Sequence, residues 1–144
     1  MSNRINDAAH ALLHRRTEQQ PALLDAATAP QDLVEAYAVH TALLALLTDS
    51  GAGAQIGWKV GFTNDAAQAR HGATEPVFAG LLAGHSYVTE AELAGTRGAG
   101  LGVEAELAVR LGQAISGPLT RSSASERDGL RRPTIRPTTR ICVT

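Results

Sequence analysis

The stretch IGWKVGF, residues 56–62, decides how the chain is read. Ile56, Trp58, Val60 and Phe62 fall on one face of an extended backbone, and Gly57, Lys59 and Gly61 on the other. A period of two is the mark of a β-strand. Glycine inside a strand signals a bulge, or a place where a ligand or another backbone comes close. Here two glycines flank one lysine. On pattern alone Lys59 has two readings. It is an exposed strand lysine, or its glycine neighbours leave room for a small substrate whose oxygen the ammonium reaches. In the second case a partly desolvated lysine beside a metal has a lowered pKa and can exchange protons near neutral pH.

Upstream the period is helical. Ile5, Ala8, Ala9, Leu12 and Leu13 follow the i, i+3, i+4, i+7, i+8 stripe of an amphipathic helix from Ile5 to about Glu18. His10 and His14 lie off that stripe and are expected on the solvent face. A second helix is predicted from about Gln31 to Asp49, with Pro30 in its first turn and Gly51 at its end. Its second half is apolar nearly all round, which predicts packing on more than one side. His40 reads as a partly buried structural residue rather than a ligand.

Downstream, TNDAAQARHG (63–72) predicts a short helix with Thr63 or Asn64 as N-cap and Gly72 just past its end. Residues 74–100 read as loop and short strand. Then LGVEAELAVRL, residues 101–111, alternates again. Leu101, Val103, Ala105, Leu107, Val109 and Leu111 fill one face, and Gly102, Glu104, Glu106, Ala108 and Arg110 the other. Two like charges on one face need water or a cation between them. In one reading Glu104 and Glu106 sit on a wetted face with the apolar side toward the core. In the other they line a cavity and share a divalent ion. Positions i and i+2 are about 6.5–7 Å apart, and two carboxylates can converge from there on an ion with oxygen ligands at about 2.0–2.1 Å. Carboxylates without thiols or imidazoles favour Mg²⁺ or Mn²⁺ over zinc.

At 144 residues with 44% hydrophobic content, the chain suits one domain with a core of Ala, Leu and Val, since aromatics are only 3%. The single cysteine, Cys142, excludes an intrachain disulfide and suits a reducing compartment. The N-terminus has no continuous apolar signal, and the longest apolar run, residues 42–47, is too short for a bilayer. A cytoplasmic protein without membrane contact is expected. Charge is uneven: residues 1–120 carry a net of −5 and residues 121–144 a net of +4. The last stretch holds six arginines among Ser, Thr and Pro, with neither helical nor strand period. A basic arm for nucleic acid is disfavoured, because that stretch has no aromatic residue for base stacking.

The order of these pieces resembles a family. The run EAYAVHTALLALLTDSGAGAQIGWKVGFTNDAAQARHGATEPVFAGLL (35–82), followed by VEAELAVRL (103–111), looks like the 2-keto-4-pentenoate hydratase group of the fumarylacetoacetate hydrolase superfamily. That group's near relatives include 4-oxalocrotonate decarboxylases. The likeness covers roughly residues 5 to 120. It implies an α+β fold, with N-terminal helices followed by part of a mixed, mainly antiparallel sheet. It implies a lyase of aromatic catabolism that adds water to 2-hydroxypenta-2,4-dienoate, giving 4-hydroxy-2-oxopentanoate. It further implies Mg²⁺ or Mn²⁺ bound by Glu104 and Glu106, Lys59 as the proton-handling group, and a homo-oligomer. A decarboxylase of the 4-oxalocrotonate type, or a non-catalytic remnant serving as a binding or structural subunit, are the alternatives.

The chain departs from the family in two respects, the first being that the family's members are roughly twice as long. The family supplies a third carboxylate about thirty residues beyond its E-x-E pair, where this chain reads IRPTTR (135–140). Likeness, periodicity and charge all change near residue 120. Residues 121–144 are therefore expected to be a frameshifted or otherwise truncated C-terminus on an N-terminal part of the hydratase domain (1–120).

Overall fold

The computed structural model describes residues 3–87, Glu106 and Ala108. Expectations for residues 88–105, 107 and 109–144, including Glu104, most of the alternating segment and the arginine-rich stretch, lie outside the described residues. Within them the order is helix α1 (Asn3–Thr17), helix α2 (Leu33–Leu47), strand β1 (Gln55–Gly61), helix α3 (Asp65–His71) and strand β2 (Val77–Leu82). The chain is of mixed α+β class. No described helix is long and apolar enough to cross a membrane.

Helix α1 forms on the expected stripe. Ala8 and Ala9 are fully buried, and their small side chains let α2 come close at Val39, which is also buried. Ile5, Leu12, Leu24, Ala42, Leu43 and Leu46 pack around this contact. His10 and His14 are exposed, as the stripe requires. His14, Arg15 and Arg16 in the last turn complement the negative pole of the helix.

Helix α2 starts two residues later than predicted, and the reason is local. The Asp32 side chain accepts from the Glu35 N–H at 2.8 Å, which makes Asp32 the N-cap and leaves Pro30 ahead of the helix. Glu35 accepts in return from the Gln31 N–H at 2.9 Å. The same Glu35 ion-pairs with Arg4, tying the start of α1 to the start of α2. At its other end α2 runs into a π-type turn, Thr48–Ala52, which Gly51 closes at φ 95°.

β1 and β2 form an antiparallel hairpin-like pair, the sheet of the described residues. Lys59 sits opposite Ala79, Trp58 opposite Gly80 and Val60 opposite Phe78, with an irregularity between Gln55 and Gly57. Between the strands, Asn64 caps α3 by accepting from the Ala67 N–H at 2.9 Å, and Gly72 ends it in the left-handed region.

Helix α2 is packed on two sides, as its apolar girth predicts. One side meets α1; the other lies along β2. Tyr37 Oη accepts from the Phe78 N–H at 3.3 Å and His40 Nε2 from the Gly80 N–H at 3.1 Å. Alternate residues of a strand direct their N–H groups to the same edge. Residues i and i+3 of the helix thus cover two successive amides of an edge that would otherwise be open to pairing. The Tyr37 ring also stacks on Phe78, with centroids 4.3 Å apart, and Phe78 meets Trp58 edge-on at 5.3 Å.

Candidate functional site

Alternation along β1 puts Lys59 at mid-strand on the face opposite Trp58 and Val60. Its neighbours on that face are Gly57 and Gly61 along the strand and Ala79 across it. The surface round the lysine stem is therefore low, with Leu81 and Val77 standing beyond the two glycines. A Cβ at Gly57 or Gly61 would meet these side chains only at ordinary contact distance, 3.8 and 3.6 Å. No steric clash with the hairpin itself demands glycine there.

The two faces differ in cover, and not in the usual sense. Ile56, Trp58, Val60 and Phe78 are 44–56% exposed. The Lys59 side chain is only 19% exposed. The charged residue is on the better covered face of the strand.

Lys59 Nζ ion-pairs with the Glu106 carboxylate, 47 positions away. These are the lysine and one of the two glutamates singled out in the sequence, and the fold brings them into contact. The Glu106 side chain is 46% exposed, so solvent screens much of the attraction. It bonds through Oε1. Chemically, an ammonium held on a carboxylate at a low, partly covered surface can bind an oxyanion, or pass a proton to an atom brought up beside it.

Oxygen donors alone suit Mg²⁺ or Mn²⁺, and Mg²⁺ often takes only one or two protein carboxylates. Glu106 is such a donor, and its sequence neighbour Glu104 is the second that the resemblance assigns. Among the described residues no three His, Cys, Asp or Glu side chains gather as a metal-binding group.

Two open cavities of about 400 Å³ lie elsewhere. One is between α2 and Trp58, lined also by Leu44 and Gln55; the other joins the ends of α1 and α2 to the turn after β2. Neither is lined by Lys59 or Glu106. His40, read as structural, holds the Gly80 N–H, and burial pushes its imidazole below the ordinary range. The pairing of Tyr37 and His40 with the β2 edge had one sequence signal, their i, i+3 spacing.

No family model, curated protein or solved structure matches the chain.

Proposed function

We propose that the chain carries the Lys59–Glu106 half of a divalent-metal lyase site of the 2-keto-4-pentenoate hydratase type. Its substrate would be 2-hydroxypenta-2,4-dienoate and its product 4-hydroxy-2-oxopentanoate. The observation that supports this reading is the contact between the Gly-Lys-Gly lysine and the E-x-E glutamate.

The chemistry asks for two things. A dienol must move a proton to become a conjugated ketone, and water then adds at the far end of the conjugated system. Negative charge gathers on the C2 oxygen in both steps, so a positive group positioned there lowers both barriers. When bound, Mg²⁺ or Mn²⁺ supplies a Lewis acid at that oxygen. In this reading Lys59 would donate a hydrogen bond to the same oxygen and hand over or retrieve the proton. Glu106, by its ion pair, would hold the Lys59 side chain in position until substrate arrives. Gly57, Gly61 and Ala79 leave the flat surface on which a planar dienoate can lie.

The test is direct. The full chain is incubated with Mg²⁺ or Mn²⁺ and 2-hydroxypenta-2,4-dienoate, following loss of the dienol absorbance and appearance of the hydroxy-oxo acid. Release of CO₂ from a 2-oxo-3-enedioate instead would point to the decarboxylase. Turnover of neither substrate, with no saturable metal binding, would leave Lys59–Glu106 as a structural ion pair in a binding or structural subunit.

A further inference from the structure

The cavity at the ends of the two long helices has a composition that the hydratase reading does not use. Arg16 reaches it from the last turn of α1, Ser50 and Gly51 from the turn after α2, and Gly84 and His85 from the turn after β2. Three segments far apart in sequence thus converge on about 400 Å³, within the range of small-molecule sites.

Arg16 and His85 face one another. Arg16 Nη2 lies 3.5 Å from His85 Nδ1, and among the described residues neither side chain has a carboxylate partner. Burial, and then the Arg16 charge, hold the imidazole below its ordinary range. A guanidinium turned toward an imidazole gains far less than one turned toward an anion. An oxyanion brought to this pair would meet a stronger partner for Arg16 than the imidazole is.

Both helices bring their negative ends toward this cavity, but several of the terminal carbonyls are already engaged within the chain. Leu13 O accepts from Thr17 Oγ1 at 3.0 Å, His14 O from the Glu18 N–H at 2.9 Å, and Arg15 O from the Gln20 N–H at 2.8 Å. Leu47 O accepts from Ser50 Oγ at 2.9 Å. The wall is also tightly built. A Cβ on Gly84 would stand 2.7 Å from Ala52 O, so the two turns touch through backbone alone. Leu13 and Leu47 add apolar surface for the carbon part of a ligand.

We propose that this cavity binds an oxyanion group, carboxylate or phosphate, of a small ligand, with Arg16 as the principal donor and His85 as the second. The site is separate from the Lys59–Glu106 pair, and its existence does not depend on the lyase reading.

The full-length chain is titrated with inorganic phosphate and, separately, with acetate at constant ionic strength. Long-range ¹H–¹⁵N spectra of the imidazoles and titration calorimetry report binding. The expected result is a saturable shift of the His85 resonances, at least tenfold weaker in Arg16→Gln and unchanged in Arg15→Gln, whose side chain does not line the cavity. The probe that saturates at the lower concentration identifies the oxyanion. Arg16 is exposed, so its replacement leaves the fold intact. Absence of saturation with both probes, or equal affinity in Arg16→Gln, overturns the proposal.

Discussion

Lys59 donates from Nζ to Glu106 Oε1, so the two side chains to which the proposed lyase site gives proton handling and metal binding engage each other directly. Each group therefore sets the availability of the other. An oxyanion entering the site competes with Glu106 for the ammonium, and a cation entering competes with Lys59 for the carboxylate.

That competition separates the two variants. Lys59→Ala should abolish hydratase turnover while leaving Mg²⁺ affinity equal or tighter, because the carboxylate loses its internal partner. Glu106→Gln should instead weaken or remove saturable Mg²⁺ binding in calorimetry. Unchanged turnover in Lys59→Ala would take Lys59 out of the mechanism.

How much of this was legible depended on range. Local signals located the helices to within about two residues, because caps and turns are set by neighbours: Asp32 and Asn64 cap α2 and α3, and Gly72 ends α3. Pro30 misled by two positions, since the Asp32 carboxylate offers the stronger start. Alternation assigned Trp58 and Lys59 to opposite faces correctly. It could not say which face would be covered, because that depends on what docks from 40 or more positions away. Nor could it show that Tyr37 and His40 would seal the β2 edge, or that Lys59 would meet Glu106.

The N-cap of α2 is the simplest stability test. Asp32 holds the Glu35 N–H, and Glu35 in turn holds Arg4 of α1. Asp32→Ala should cost about 1 kcal/mol in chemical denaturation. Asp32→Ser, which keeps an acceptor, should recover most of it. Equal losses in both variants would mean that the cap bond contributes nothing.

Two glycines should fail for different reasons. Gly72 has open space where a Cβ would go, but its φ is 66°, so Gly72→Ala pays only the left-handed backbone cost of about 1 kcal/mol. Gly84 meets a backbone oxygen, Ala52 O, which cannot swing aside as a side chain can. Gly84→Ala should therefore cost more, about 1–3 kcal/mol from overpacking. Denaturant midpoints at unchanged slope would rank the two; the reverse order would contradict the close approach of the turns.

His40 gives the chain a pH dependence whose sign follows from its surroundings. Its Nε2 accepts from the Gly80 N–H, and Trp58 lies beside the ring with centroids 6.5 Å apart. Burial lowers its pKa from 6.5, so the unfolded chain takes up a proton at a higher pH than the folded one. Above that range both states are neutral and the full stability is present. As pH falls through 6.5 toward the folded value, the unfolded state gains protons first and stability drops. Protonation also puts a second hydrogen where Gly80 already points one. His85 is shifted the same way, by burial and then by Arg16, and adds to the slope. Thermal unfolding between about pH 5 and 8 should show stability declining toward acid. His40→Gln, which keeps an acceptor for Gly80 but cannot titrate, should show a shallower decline, with the His85 share remaining. Parallel curves for the two proteins would mean that His40 keeps its ordinary pKa in the folded chain.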